Sequence, residues 1–258
     1  MKQRLITAFI LGIVLIPLVI VGNLPFEIGV TILSLFSFYE ILSKKEKTVK
    51  IPTLMKIFSF LSVGLLTICY DALIPCIALI FLIIYLPIIF IDSDDYNFDI
   101  ASFLFGLIIF IGFCFHTLIE IRSIDLTAFI YVVLITILTD TFAYIGGKIF
   151  GRNKLIPKVS PGKTIEGSII GSLIGTLIPS IYYLFMIDPG MNIPLIILMT
   201  LIISLFGQLG DLLFSSIKRS YKIKDFSNIF PGHGGVLDRF DSVLIASLVY
   251  TIIKTIFI

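Results

Sequence analysis

The sequence predicts an all-α, polytopic membrane protein with about nine transmembrane helices and its N-terminus in the cytoplasm. Three observations carry that prediction. The chain of 258 residues is 58% hydrophobic and only 14% charged, where soluble proteins run near a quarter charged. Apolar runs of roughly the 20 residues needed to cross a bilayer recur from end to end. The basic residues collect in alternate connections between those runs.

The runs are, in order, Leu5–Val21, Leu24–Leu42, Leu54–Tyr70, Ala72–Ile91, Ile100–Ile119, Leu126–Gly146, Ile165–Met186, Ile193–Leu209 and Val243–Phe257. The first has the basic start and apolar core of a signal peptide. No A-x-A-like cleavage site follows, so it reads as a retained helix. The fourth is separated from the third only by the joint at Tyr70–Asp71, and the seventh is rich in Gly and Ser. With the N-terminus inside, only Arg122 and Lys254 among the 19 basic residues fall on the outer side. Cys69, Cys76 and Cys114 sit in apolar runs without CxxC spacing, which argues against a zinc site or a disulfide framework. No repeat or linker divides the chain. It reads as one membrane-embedded domain, with N-terminal helices over 1–125 and catalytic helices and cytoplasmic loops over 126–258.

Two inside connections are long and polar, and both border carboxylates. The first is "TDTFAYIGGKIFGRNKLIPKVSPGKTIEGSIIG", Thr139 to Gly171. Asp140 lies within an apolar run, where an ionisable group is costly and usually functional. The Gly146–Gly147 pair is read as the end of that helix. "SPGKTIEG" then presents Ser160, Lys163, Thr164 and Glu166 in a turn entering the next helix, an arrangement that suits a phosphate. The same residues also suit a plain turn, with Ser160 and Thr164 as caps and the lysines as cytoplasmic anchors. The GKT triplet is not a Walker A, because the first glycine is missing from its required place.

The second connection is "GQLGDLLFSSIKRSYKIKDFSNIFPGHGGVLDRFD", Gly207 to Asp241. It holds Asp211, Asp225, Asp238 and Asp241 beside Lys218, Arg219, Lys222, Lys224, His233 and Arg239. Asp211 follows the apolar stretch Leu201–Gln208 and so should lie near membrane depth. Asp238 and Asp241 are spaced i, i+3, which puts both carboxylates on one helical face. Paired carboxylates call for a cation, and Mg²⁺ commonly uses one or two of them together with substrate phosphates. His233, among glycines, is read as a turn residue or a phosphate hydrogen-bonding group rather than a metal ligand. Carboxylates, basic clusters and glycines together describe phosphoryl or nucleotidyl transfer, where the protein mainly positions groups and neutralises charge. A site at the cytoplasmic edge of a helical bundle suits a phospholipid headgroup meeting a soluble nucleotide.

The stretch "SSIKRSYKIKDFSNIFPGHGGVLDRFD", residues 215–241, resembles without a break the signature of the phosphatidate cytidylyltransferase (CDP-diacylglycerol synthase) family. "SPGKTIEG", with Asp140, Ala143, Tyr144 and Gly147 before it, resembles the family's second motif. Gly162 stands there in place of a usual lysine. The resemblance implies CTP plus phosphatidic acid giving CDP-diacylglycerol and pyrophosphate, with Mg²⁺ and a site for a second cation. It also implies Asp211 and Asp238 as metal ligands, with Asp241 beside them. Lys218, Arg219, Lys224, His233 and Arg239 would meet the triphosphate and the lipid phosphate. Ser160, Lys163, Thr164 and Glu166 would complete the nucleotide side. Asp140 and the signature's Ser215, Asp225, Gly234 and Gly235 join the substrate-binding set.

Rival readings are a CTP-dependent transferase or kinase for an isoprenoid or ether lipid, and a transporter gated by its polar loops. Transporters tend to carry broken helices or inverted repeats at the midplane, whereas here the polar groups gather in two loops on one side. The expected partners are CTP, phosphatidic acid and membrane lipids, without nucleic acid. The expected location is the cytoplasmic (inner) membrane, with the active site facing the cytoplasm. The sequence leaves dimerisation open.

Overall fold

The computed structural model describes residues 2–69, 72–92, 94, 96–232 and 234–257. The joint at Tyr70–Asp71 and His233 lie outside the described residues. The elements are α1 (Lys2–Val21), α2 (Asn23–Lys45), α3 (Thr53–Ile68), α4 (Leu73–Tyr85) and α5 (Phe98–Ile124), then α6 (Leu126–Phe150). A hairpin of β1 (Lys154–Ile156) and β2 (Ser160–Thr164) precedes α7 (Ile165–Met186), α8 (Ile193–Ser220) and α9 (Leu237–Phe257). Each apolar run read from the sequence is therefore helical. Among the described residues, α2, α5, α6, α7 and α8 are long and apolar enough to cross a membrane. The protein is a helical membrane protein.

Three local expectations need correction. Residues 154–164 form a small antiparallel hairpin, with Lys154 opposite Thr164 and Ile156 opposite Ser160, where only a turn was expected. The Gly146–Gly147 pair does not end α6, which continues to Phe150. Those glycines serve close packing instead: a Cβ on Gly146 would meet the Ile170 side chain, and one on Gly147 would meet Thr164. The second polar connection is helical to Ser220, which leaves the described residues among 221–236 as its only non-helical stretch.

Backbone contacts divide the chain into two compact units, Met1–Glu120 with Phe226–Leu237, and Ile121–Asp225 with Asp238–Ile258. In the first unit, Phe38, Met55, Val63 and Leu66 are fully buried, and Phe38 meets Phe60 edge-on with ring centroids 5.1 Å apart. Buried hydroxyls find partners where water is absent: Thr67 donates to the Val63 carbonyl, 2.8 Å, and lies 3.1 Å from Ser34 Oγ. The predicted run Ala72–Ile91 is helical only to Tyr85. It then tightens into a 3-10 turn, Leu86–Ile89, carrying Pro87, because proline has no N–H for the α-helical ladder.

In the second unit, α7 has two unlike faces. Gly167, Gly171 and Gly175 recur every four residues, and a Cβ on Gly171 would lie 2.5 Å from the Thr139 carbonyl of α6. This small-residue spacing lets two helix backbones touch, the packing that works where lipid removes the hydrophobic driving force between helices. The other face, with Ile169, Leu173, Leu177, Ile181 and Phe185, is exposed, as a lipid-facing surface must be. Tyr131, Tyr183 and Tyr250 cluster in the interior, with Tyr131 5.1 Å from Tyr183 and 6.0 Å from Tyr250 between ring centroids. The Tyr131 hydroxyl is satisfied by Thr200 Oγ1 at 2.6 Å.

Candidate active site

The site builds up from the second unit. On α6, Asp140, Tyr144 and Lys148 recur every fourth residue and so share one face. The close α6–α7 contact brings that face to the β-hairpin. Thr164 caps α7, accepting a hydrogen bond from Gly167 N at 3.1 Å, so the capping role read for Thr164 is the one it takes. Ser160 belongs instead to β2. Lys163, one residue before the cap, forms an ion pair with Asp211 Oδ2 at 2.6 Å.

Because α8 runs on to Ser220, Asp211, Ser215 and Lys218 fall at i, i+4 and i+7 along one helix face. Ser215 Oγ donates to Asp211 Oδ1, 3.2 Å. Lys218 Nζ donates to Asp238 Oδ1, 2.8 Å, with the Lys218 side chain 11% and the Asp238 side chain 2% exposed. Asp238, Arg239 and Asp241 come from the first turns of α9.

These groups line a cavity of about 590 Å³ whose wall includes Asp140, Ser160, Lys163, Thr164, Asp211, Lys218, Asp225, Asp238, Arg239 and Asp241. Among the described residues, neither Asp140 nor Asp241 has a lysine or arginine within ion-pair distance. Glu166 and Arg219 are engaged nearby but not on the cavity wall. Glu166 accepts from Arg152 N and Asn153 N, at 3.1 and 3.2 Å, and from Asn153 Nδ2 at 2.8 Å. Arg219 donates to the carbonyls of Val159 and Ile223. Both brace the hairpin and its flanks. Ser215 and Lys224 are not on the wall either. Gly234 and Gly235 belong to the first unit.

One lining group was missed in the sequence. Gln208, one turn before Asp211, is buried; its Oε1 accepts from Ser168 Oγ at 2.6 Å and its Nε2 donates to Ser172 Oγ at 2.7 Å. The signal was available, since an amide inside an apolar run needs partners. Their identity on α7 depended on the packing.

The donor set can be weighed against a divalent cation. Carboxylate oxygens are the hard donors that Mg²⁺ takes, and five aspartates share one wall. Among the described residues, no three such groups converge closely enough to hold a metal alone. Mg²⁺ bound through one or two carboxylates, with its remaining ligands from water and phosphate, requires no such convergence. The residues fit the ion in that mode.

Comparison with known proteins decides the family. A profile of the Cytidylyltransferase family matches residues 2–257. The chain belongs to this family. The phosphatidate cytidylyltransferase of Bacillus subtilis (strain 168) is 41% identical over 95% of this chain and 94% of its own length. Proteins of the same name from Staphylococcus aureus (strain COL) and Staphylococcus haemolyticus (strain JCSC1435) are 38% and 36% identical, each over 95% of both chains. The resemblance seen in residues 215–241 is thereby borne out across the whole length of this cytidylyltransferase family member.

Proposed function

We propose that this chain transfers the CMP unit of CTP to phosphatidic acid, forming CDP-diacylglycerol and releasing pyrophosphate, with Mg²⁺ as cofactor. The observation that carries the reading is the cavity in which Asp211 and Asp238, each held by a lysine, share a wall with Asp140, Asp241 and Arg239. The full-length relatives with that enzyme's name support the choice of substrates.

In this reaction a phosphate oxygen of phosphatidic acid bonds to the α-phosphorus of CTP. The bond from that phosphorus to the bridging oxygen breaks, and its electron pair leaves with pyrophosphate. A phosphate monoester has its second pKa near about 6 and is already anionic at neutral pH, so the protein need not supply a strong base. Its work is to neutralise and align. Lys148, Lys163, Lys218 and Arg239 line the cavity and offset the phosphate charges. Ser160 and Thr164 contribute hydroxyls beside the N-terminus of α7, whose amides favour an anion. Asp211 and Asp238 are the residues that would hold Mg²⁺, with Asp241 beside them. When bound, that ion supplies charge neutralisation on the triphosphate as pyrophosphate departs.

Lys163 and Lys218 now stand on the two carboxylates assigned to the cation. On this reading they turn to phosphate when substrate and metal arrive. The distribution of basic residues supports nine spans and a cytoplasmic-membrane location with the site facing the cytoplasm, the side where CTP is available.

The test uses purified protein in mixed micelles with labelled CTP. Phosphatidic acid, a polyprenyl phosphate and an ether-linked phosphatidic acid are compared, each with and without a chelator. Label entering lipid with phosphatidic acid, and its loss with chelator, is the expected outcome. Preference for another acceptor, or undiminished turnover in chelator, overturns the reading.

A further inference from the structure

We infer that Glu40, on α2, is a positioning residue for the glycine-rich segment that delivers Asp238. Glu40 and the groups that donate to it all lie within the first unit. Glu40 is 1% exposed, near the end of the mostly apolar run Leu24–Leu42, whose other carboxylate is Glu27. A carboxylate there is expensive unless its oxygens are hydrogen-bonded. Three of its hydrogen-bond donors come from one distant stretch. Oε1 accepts from Val236 N at 2.8 Å and from Ser227 Oγ at 2.5 Å, and Oε2 accepts from Leu237 N at 3.0 Å.

Two of those donors are backbone amides at the start of α9, where helix amides lack intrahelical partners and a negative charge is favoured. Glu40 thus acts as a helix cap supplied from more than 190 positions away in sequence. The residue after Leu237 is Asp238.

The glycines between these contacts fit the same role. Gly232 and Gly234 have φ of 78° and 85°, values that side chains rarely adopt. Phe230 and Gly234 exchange backbone hydrogen bonds of 2.9 and 3.1 Å across the turn. At Gly235 any Cβ would run into the Glu40 carboxylate itself. Gly235 is therefore small because Glu40 lies against it. A further tie comes from α1, where Thr7 Oγ1 donates to the Pro231 carbonyl at 2.9 Å.

A segment with two left-handed glycines loses much conformational freedom on ordering. Charge-assisted hydrogen bonds, about twice as strong as neutral ones, are the means of ordering it. Glu40 touches no reacting atom in this account; it acts through residues 227–237.

This inference rests on the proposed reaction for its kinetic consequence but not for its structural one, so the test has two arms. Hydrogen exchange by mass spectrometry, without substrate, compares the full-length chain with Glu40→Gln and Ser227→Ala. Glu40→Gln keeps the size but presents an amide donor to backbone donors. We expect peptides covering 226–240 to exchange at least about 10-fold faster in Glu40→Gln, and by a smaller factor in Ser227→Ala. Peptides from α3 and α7 should be unchanged. In the second arm, kcat for CTP and phosphatidic acid falls at least about 10-fold in Glu40→Gln, while KM for CTP changes less than about 3-fold.

Unchanged exchange over 226–240, or exchange accelerated everywhere in both variants, overturns the inference. So does a loss confined to KM. If the unaltered chain shows no such activity, the proposed reaction fails, and the exchange arm still decides the role of Glu40.

Discussion

Replacing Lys218 by Met removes one half of the most deeply buried ion pair in the site. Nζ lies 2.8 Å from Asp238 Oδ1, and the Asp238 side chain is only 2% exposed. Methionine keeps most of the length of the stem, so little packing is lost. What is lost is the charge in direct contact with a nearly buried carboxylate on the cavity wall. Breaking a buried pair from one side typically costs about 3–5 kcal/mol, because the remaining charge loses its direct ion-pair contact. For a chain of this size each kcal/mol moves the melting temperature by roughly 2–4 °C, so a fall of about 10 °C is expected for Lys218→Met. Asp238→Asn should cost a comparable amount, by removing the carboxylate to which Lys218 Nζ donates. The double variant lacks both halves of the pair, and its loss should be smaller than the sum of the two single losses by at least about 2 kcal/mol. The assay is thermal unfolding of the purified variants in one detergent, with CTP turnover measured alongside. All three variants should be inactive, even though the double variant recovers stability. Strictly additive losses would refute the reasoning, since the pair would then not be coupled.

Asp211→Asn takes away the partner of Lys163, but that pair is about a quarter exposed on each side. Its melting temperature should therefore stay within a few degrees of the parent while labelled CMP transfer to lipid is lost; retained turnover would contradict the role of Asp211. Thr164→Ala removes the α7 cap that receives Gly167 N and should lower stability by about 1 kcal/mol, read as a shift of roughly 2–4 °C. Gly171→Val places a branched side chain against the Thr139 carbonyl and Ala143. It should separate α6 from α7 and cost at least about 2 kcal/mol, and a variant melting like the parent would show that the helices are not in backbone contact.

Much of this architecture is legible along the chain, because crossing a bilayer imposes a length and a hydropathy that single segments must satisfy alone. The run Ile165–Met186 coincides with α7, and the other runs match their helices to within a few residues or a turn or more. The misreadings share a cause. Gly146 and Gly147 look like helix breakers in a local reading, and α6 passes through them because α7 needs their missing side chains. Polar residues after Asp211 look like a loop, yet α8 continues because the cavity solvates one of its faces. In each case a neighbour in space outweighs local propensity.

The site shows the same division. Aspartates within or beside apolar runs, the SPGKTIEG turn and the PGHGG segment are visible in the one-dimensional pattern, because ionisable groups at such places are costly and need a reason. The same rule applies to Glu40, which sits in an apolar run without any motif around it. The sequence by itself determined a membrane-spanning helical chain, its family and the residue types from which a metal- and phosphate-handling site is proposed. Only the tertiary structure decided that Lys163 stands on Asp211, that Lys218 stands on Asp238, and that Glu40 caps the helix that begins beside Asp238. The physical reason is that hydropathy is a property of each segment against lipid, whereas an ion pair or a cap is a property of two segments and of the packing that brings them within 3 Å.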